Sequence, residues 1–255
     1  MNLGNTSALA FLLVATALLV LERKPGLRRN LVPIEYRWLT NLGLMLVSAL
    51  AISTIYPASI TDVTSQLNGG VLLDLQLPLV LEVLVVFLLL DCWRYWEHRL
   101  FHEVPLLWRA HLVHHSDTAI DVTTAERHHP IETIITTFIA FILVFALGFS
   151  VQALSIYLLL ATLSSLYTHT NIDLPEWLDR PLRRWLVTPA MHAVHHSAYQ
   201  PETDSNYGSI LSIWDHLFGT YTNPASVQIS QFGLDCFREA GETALGSVLL
   251  QPFAY

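Results

Sequence analysis

Cysteine is scarce in this chain, which has only Cys92 and Cys236 among its 255 residues. Two isolated cysteines exclude a disulfide framework and a Cys-x-x-Cys metal pair. Any metal site must therefore be built from histidine and carboxylate side chains. Histidine, in contrast, is abundant, with 12 residues. This number is high for a chain of this length and requires an explanation.

Charge is also scarce. Charged residues make up 13% of the chain and hydrophobic residues 53%, whereas ordinary soluble domains have roughly 25% charged residues. So few charges cannot easily cover a surface that is exposed to water on all sides. The net charge of −8 and the lack of a basic stripe exclude nucleic acid as a partner. The length suits one domain, residues 1–255, placed in a membrane.

Four apolar stretches predict membrane-spanning helices, at about residues 7–21, 39–60, 77–96 and 131–167. A crossing needs about 20 residues, so the last stretch is too long for one helix. Gly148-Phe149-Ser150 interrupts it and predicts a hairpin of two helices. A cleaved signal peptide is disfavoured for the first stretch, because its basic residues follow the apolar run instead of preceding it.

The basic residues agree with one orientation. If the segment after Leu21 is cytoplasmic, residues 57–76 and the Gly148 turn lie on the opposite side. Every Lys and Arg, from Arg23 to Arg238, then falls on the cytoplasmic side or at its boundary, which is the positive-inside pattern. A soluble protein with apolar core helices is the alternative, and uncharged runs of this length argue against it. We therefore expect an all-α fold, a multi-pass membrane helical bundle with a cytoplasmic helical cap.

Two carboxylates fall inside the third stretch, where a charge is costly and is usually paired or functional. Asp91 lies near the cytoplasmic end and is a candidate partner for a histidine. Glu82 lies deeper, and the sequence names no partner for it.

Eight histidines form three clusters with helical spacing. Residues at positions i, i+3 and i+4 of a helix share one face, close enough to bind one metal. Eight imidazoles exceed the three protein ligands of a catalytic zinc, and His129 and His169 lie within reach, so the set predicts two metals. Imidazole suits iron, zinc and copper alike, and the spacing alone leaves the metal open. The eight residues are His98, His102, His111, His114, His115, His192, His195 and His196.

Around these clusters the sequence resembles the fatty acid hydroxylase/sterol desaturase superfamily, whose members are membrane-bound oxygenases with histidine boxes. The resemblance extends from about Leu90 to Tyr221. Residues before Leu75 match only in being hydrophobic. The motifs that carry it are DCWRYWEH at 91–98, PLLW at 105–108, HLVHHS at 111–116, RHHPIE at 127–132, HTN at 169–171, TPAMHAVHHS at 188–197, DSNYG at 204–208 and WDHLFGT at 214–220.

This resemblance implies a catalytic core at about residues 90–221 that holds two iron ions, with zinc as a substitute metal. It implies O₂ as co-substrate and a membrane lipid (sterol, fatty acyl or related) that is hydroxylated or desaturated. The eight clustered histidines are then the ligands, joined by His169 and His129. Metal-bound imidazoles usually donate their other N–H to a carboxylate or carbonyl, so Asn171, Asp204 and Glu132 are candidates for orienting them, or are ordinary cap and turn residues. His128 and His216 are expected to be structural.

The electrons for such a reaction must come from outside, because the sequence has no Gly-rich dinucleotide motif, ferredoxin-like cysteine set or fused haem module. The expected donor is a ferredoxin or a cytochrome b5-like protein with its reductase. Three alternatives stay open from the sequence: a zinc-dependent membrane lipid hydrolase or isomerase, a non-catalytic membrane metal-binding protein, and a histidine-ligated haem protein. The sequence does not distinguish one lipid substrate from another.

Overall fold

The computed structural model describes residues 3–23 and 34–255. Within these ranges the regular secondary structure is helical, with isolated antiparallel bridges at Leu186–Leu211 and Ser197–Phe232. The expected all-α class is confirmed. Lys24, Arg28 and Arg29, which contribute to the expected orientation, lie outside the described residues.

The helices vary from four residues to 25 residues in length. Two 3₁₀ turns, Val122–Glu126 and Pro224–Ser226, supplement them. In chain order the α-helices are α1 (Leu3–Glu22), α2 (Ile34–Ile55), α3 (Ile60–Ser65), α4 (Val71–Asp74), α5 (Leu79–Glu103), α6 (Pro105–His115), α7 (Pro130–Leu147), α8 (Val151–Thr168), α9 (Glu176–Leu182), α10 (Pro189–His195), α11 (Gln200–Thr203), α12 (Ile213–Phe218), α13 (Leu245–Val248) and α14 (Gln251–Ala254).

Three stretches are long and apolar enough to cross a membrane, namely Tyr36–Ser65, Pro130–Leu147 and Val151–Thr168. They correspond to the second predicted segment and to the two halves of the predicted hairpin. The apolar helix Leu9–Glu22 is shorter, and α5 carries three charged residues, Glu82, Asp91 and Arg94, within its apolar stretch. That α1 and α5 also span the membrane therefore stays a prediction.

The turn between α7 and α8 is held by close backbone packing and a carboxylate. Gly148 has a φ of +61°, and a Cβ there would lie 2.6 Å from the Cα of Gly70. Ser150 caps α8, since its Oγ accepts a hydrogen bond from the N–H of Ala153. Glu82 of α5 accepts hydrogen bonds from the N–H (2.7 Å) and Oγ (2.9 Å) of Ser150. The deep carboxylate without a predicted partner thus holds the hairpin against α5.

Asp91 has a different role from the one expected. Its fully buried carboxylate accepts hydrogen bonds from the N–H groups of Ile210 and Leu211, both at 3.1 Å, and from Trp214 Nε1 at 2.8 Å. It therefore binds the segment around α12 to α5 instead of contacting a histidine. The contact fixes the loop that follows the third histidine cluster.

A buried ionic network joins α2 to the loop after α6. Arg37 donates to both oxygens of Asp117, from Nε at 2.7 Å and from Nη2 at 2.8 Å. Arg127 donates to the carbonyl of Val113 and to Asn41 Oδ1. Burial alone would raise the pKa of Asp117, but the Arg37 guanidinium holds it below its usual range. The network fixes α6 and the start of α7 around the histidines.

The C-terminal residues form α13 and α14 and pack back onto the bundle. Leu234 and Val248 share an apolar cluster with Leu44, Trp108 and Leu112. The segment thus covers the outer side of α6.

Candidate metal centre

The first two histidine clusters meet at the junction of α5 and α6. His98 and His102 lie one turn apart at the end of α5, with ring centroids separated by 5.2 Å. α6 begins at Pro105, whose missing N–H is not needed at a first helical position. The chain therefore reverses abruptly after α5, and the ring of His115 lies 4.7 Å from that of His102.

The third cluster lies on α10, a helix of seven residues with a strong start signal. Thr188 accepts a hydrogen bond from the N–H of Met191, and Pro189 occupies the first turn. His192 and His195 lie on this helix, and His196 is its C-terminal cap. His169, the C-terminal cap of α8, lies against this group, with its ring 4.3 Å from that of His192.

Nine of the ten histidines predicted as ligands form two adjacent buried groups. Within each group the residues offer nitrogens that lie within 4.8 Å of one another. The rings of His115 and His196 join the groups, stacked at 4.6 Å and 22°. The five-histidine cluster contains His98, His102, His111, His115 and His195, and the four-histidine cluster contains His114, His169, His192 and His196.

The protonation pattern of His98 and His111 calls for a cation. His98 Nδ1 contacts the carbonyl of Tyr207 at 2.9 Å, and His111 Nδ1 contacts Glu132 Oε1 at 2.9 Å. A carbonyl and a carboxylate only accept, so both Nδ1 atoms carry a proton, and a neutral ring then has its lone pair on Nε2. These two Nε2 atoms face each other at 3.1 Å. Two lone pairs form no hydrogen bond, and a metal ion would satisfy both.

The four-histidine cluster repeats this arrangement independently. His114 Nδ1 donates to the carbonyl of Arg127 and His169 Nδ1 to that of Ser165, while their Nε2 atoms lie 3.2 Å apart. Two nitrogens bound to one metal at about 2.1 Å, with an angle of about 90–110°, lie about 3.0–3.4 Å apart. The donor set and its spacing fit one metal ion in each cluster.

Further nitrogens in the clusters lack a partner. His195 donates from Nδ1 to the carbonyl of Ser205 at 2.8 Å, and His102 Nδ1 lies 3.2 Å from Asp204 Oδ1. The Nε2 atoms of both residues, and both ring nitrogens of His115, are buried without a hydrogen bond to any described residue. Burial of an unpaired polar atom is costly, which again favours a bound ion.

Burial keeps several of the clustered imidazoles neutral. Burial, opposed by the hydrogen bond to Ser165, lowers the pKa of His169 to about 4. Burial likewise lowers the pKa of His195 to about 3. The pKa of His115 falls well below its usual range because of burial and the neighbouring His195. Neutral imidazole is the form that binds a metal, so the apoprotein is ready to bind at neutral pH.

Glu132 contacts two rings rather than one. Its Oε1 lies 2.9 Å from His111 Nδ1 and 3.0 Å from His128 Nδ1. His128, expected to point elsewhere, stacks on His114 with ring centroids 4.7 Å apart and an interplanar angle of 6°. The four-residue spacing between His128 and Glu132 at the start of α7 was the sequence signal for this contact. His111, His128 and Glu132 form a third group with ligand-like geometry.

His129 lies apart from both clusters, although the sequence nominates it as a ligand. Its Nδ1 accepts a hydrogen bond from the N–H of Ile131, which makes it the N-terminal cap of α7, and its Nε2 lies 3.2 Å from the carbonyl of Leu249. Both ring nitrogens are thus engaged elsewhere. His216, expected to be structural, lies against the ring of Tyr221 at 4.0 Å.

The three residues nominated to orient ligands have different surroundings. Glu132 and Asp204 each contact a clustered histidine, as described above. The N–H of Asn171 donates to Glu22 Oε1 at 2.7 Å, and Glu22 also accepts from the N–H of Val122. Asn171 therefore lies where the end of α1 meets the 3₁₀ turn Val122–Glu126.

The loop at 204–208 contributes residues that the sequence reasoning missed. The carbonyls of Ser205 and Tyr207 orient His195 and His98, and the ring of Tyr207 lies 5.1 Å from that of His102. Asp215 holds this loop by accepting from the N–H groups of Tyr207 (2.7 Å) and Gly208 (2.9 Å). Every residue type has a main-chain carbonyl, so this role cannot be recognised from the identity of the residue. The DSNYG motif was the only pointer.

A cavity of about 570 Å³ lies among α2, α5, α7 and α8. Its walls are largely apolar, and they include Leu90, Phe141 and Leu158. A smaller cavity of about 50 Å³ lies at the histidines, and the two share Arg94, Ser165 and Ser209 in their walls. The large cavity therefore adjoins the histidine clusters.

Several curated proteins are similar to part of this chain. An ornithine lipid hydroxylase of Rhizobium tropici is 33% identical over 70% of this chain and 52% of its own length. An alkylglycerol monooxygenase of Xenopus tropicalis is 36% identical over 54% of this chain and 30% of its own length. A C-4 methylsterol oxidase of Schizosaccharomyces pombe is 29% identical over 57% of this chain and 48% of its own length.

The chain thus spans about half or less of the length of these relatives. No solved structure matches it. The fatty acid hydroxylase family matches residues 83–220, which are more than half of the chain and include both histidine clusters. The chain therefore belongs to the fatty acid hydroxylase family.

Proposed function

We propose that this protein is a membrane-bound, O₂-dependent oxidoreductase that hydroxylates or desaturates a membrane lipid (sterol, fatty acyl or related) at a centre of two iron ions. One observation carries the proposal: two clusters of neutral, lone-pair-bearing imidazoles lie side by side at the end of a large apolar cavity. Family membership favours iron over the other metals that imidazole binds.

The five-histidine cluster would hold one ion and the four-histidine cluster the other. Bound there, the metal pair supplies activation of O₂ and one-electron steps. The chain's own residues orient the ligands. Glu132, Asp204 and the carbonyls of Ser205, Tyr207, Arg127 and Ser165 each fix one Nδ1, so that the opposite nitrogen points inward. The burial of the histidines excludes bulk water, which protects a reactive oxidant.

Hydroxylation is the favoured outcome, because the relatives include a hydroxylase and a monooxygenase. The balanced reaction takes one C–H bond, O₂, two electrons and two protons, and it gives one C–OH and one water. The electrons come from an external donor, a ferredoxin or a cytochrome b5-like protein with its reductase.

The remaining expectations belong to this proposal. Residues 1–255 would form one integral-membrane domain with the catalytic core at about 90–221. The protein would cross the membrane several times, with the histidines on the cytoplasmic side. Zinc would bind as a substitute without supporting oxidation, since it has no redox chemistry.

The test is turnover under ¹⁸O₂. The full chain, purified in detergent, loaded with iron and supplied with a ferredoxin system, is incubated with an extract of the host's membrane lipids. We expect a lipid product that carries one ¹⁸O atom and that is absent after zinc loading. Lipid cleavage or isomerisation without O₂, with zinc bound, would instead establish a hydrolase or isomerase and overturn the oxygenase.

A further inference from the structure

The large cavity runs along the membrane helices toward the histidines. On α8 its wall extends from Leu154 to Ser165, a rise of about 16 Å at 1.5 Å per residue. The carbonyl of Ser165 accepts a hydrogen bond from His169 Nδ1. A substrate in this cavity therefore lies parallel to the helices, with one end at the histidines.

The two ends of the cavity differ in polarity. Val144, Phe149 and Leu154 line the end beside the α7–α8 turn. Charged residues line the histidine end: Arg94, Glu97 and Glu126 are all in the wall there. A lipid with an apolar tail and a polar head fits this gradient in only one direction, with the head beside the histidines.

Arg94 is the cation of α5 that lines the large cavity. It lies four residues, or about 6 Å of helix, before His98, and the same face of the helix carries both. It donates from Nη1 to Glu97 Oε2 at 2.5 Å. Nevertheless, 39% of its side chain is exposed, and it lines both cavities. The guanidinium thus has donors available to a ligand.

Two carboxylates line the same cavity as Arg94. Glu97 is almost fully buried and forms an ion pair with Arg94. Glu126 follows the second histidine cluster in the sequence and can bind a cationic group of a ligand. One cation and two carboxylates suit a ligand that brings both an acidic group and an ammonium. A purely anionic head group would be repelled by Glu126, and an uncharged one would leave Glu126 without a cation in the cavity.

We propose that the substrate is a lipid with a zwitterionic head group, which is held between Arg94 and Glu126 with its tail toward Phe149, so that oxidation falls on the head group or the carbons next to it. The regiochemistry follows from the order of groups along the cavity. The histidines lie at its polar end, so the terminal carbons of the tail are the part farthest from the metals. This inference rests on the proposed function for its chemistry, but the orientation of the bound lipid is independent of turnover.

The orientation is tested on metal-free protein with brominated lipids, because bromine quenches nearby tryptophan fluorescence. Trp93 lines the cavity beside Arg94. Zwitterionic lipids brominated close to the head should quench Trp93 more strongly than those brominated at the tail end, and this difference should disappear in Trp93→Phe. Stronger quenching from the tail end would overturn the orientation.

The head-group preference is tested by turnover of lipids with identical chains and zwitterionic, anionic or uncharged heads. We expect the zwitterionic lipid to have the lowest KM and its product to carry the new oxygen on the head group or the adjacent carbons. Arg94→Gln and Glu126→Gln should each raise that KM by about tenfold or more, as expected for a lost charged hydrogen bond, with unchanged metal content. The exposed pair Arg180→Gln and Glu239→Gln serve as matched controls and should not change it.

A product oxidised at the tail end, or equal KM values for the three heads, would overturn the inference while leaving the proposed function intact. The absence of any O₂-dependent product, combined with the expected quenching, would instead remove the proposed function and leave the binding orientation standing.

Discussion

His98 and His111 direct their Nε2 atoms at each other across 3.1 Å, although both rings hold their proton on the far nitrogen. The two Nε2 lone pairs therefore repel each other in the apoprotein, and a bound cation would make the same arrangement favourable. His114 and His169 repeat the relationship at 3.2 Å in the neighbouring cluster. Because there are two such pairs, the number of metal ions bound per chain tests the proposed site directly.

The first prediction concerns metal content. The iron-loaded protein should hold about two ions per chain, and loss of one ligand from a cluster should release only that cluster's ion. We expect His98→Ala and His192→Ala each to retain about one ion per chain, as measured by elemental analysis. His216→Ala, which alters a ring outside both clusters, is the control. One ion in the wild type would contradict the dinuclear arrangement.

The second prediction concerns Glu132, which accepts from two imidazoles. Both rings contact Oε1, and the amide oxygen of glutamine can still accept there, but it lacks the negative charge that strengthens the two hydrogen bonds. Glu132→Gln should lower iron affinity or kcat by about 10–100-fold, as is usual for residues that orient metal ligands. Titration with iron and single-turnover measurements would separate the two effects. Wild-type behaviour in both would mean that the rings are held by packing alone.

The third prediction concerns the α7–α8 turn. Gly148 has a φ of +61°, and its Cα lies against Gly70, so Gly148→Ala introduces both a strained backbone and a steric clash. We expect the free energy of unfolding to fall by about 1–3 kcal/mol, seen as a lower Tm in detergent. Gly241→Ala is the matched control, because a Cβ at Gly241 meets no atom within 4 Å. Equal Tm values for the two variants would show that the turn tolerates a side chain.

The fourth prediction concerns pH. The folded apoprotein keeps His169 neutral down to about pH 4 and His195 down to about pH 3, whereas an unfolded histidine gains its proton near pH 6.5. The unfolded state therefore binds more protons below pH 6.5, and the stability of the apoprotein must fall as the pH drops from 6.5 toward 4. Thermal unfolding across this range should show the decline.

The matched variant for this measurement is His195→Asn, which removes one of the titrating groups. Its Tm should fall less steeply with decreasing pH than that of the wild-type apoprotein. A slope identical to the wild type would assign the acid sensitivity to other groups.

Sequence patterns predicted the local features of this protein well. An apolar run too long for one crossing, interrupted at Gly148, predicted the hairpin, because span length is set by the bilayer. Helical spacing placed the histidines of each motif on one helix face, whereas their division into two groups combines residues of several helices and was not predicted. His169 lies against His192 because it caps the C-terminal end of α8.

The long-range partners were not predictable in the same way. Glu82 and Ser150 are 68 residues apart, and no local pattern links them. His128 and His129 are adjacent, and which ring faces the metals depends on where α7 begins. The structure starts that helix at Pro130, which uses His129 as the cap and leaves His128 toward His114. Asp91 failed as a histidine partner because its true partners are main-chain N–H groups, which every residue type offers.

The contact between Asp91 and Trp214 also sets an order of assembly during synthesis. The two residues are 123 positions apart, so at roughly 5–20 residues per second the ribosome needs about 6–25 s to deliver the partner after Asp91 has been made. Throughout that interval α5 carries a carboxylate without its native hydrogen bonds. The loop that orients His98 and His195 can be fixed to α5 only after residues 210–214 have been made and Asp91 has gained these hydrogen bonds.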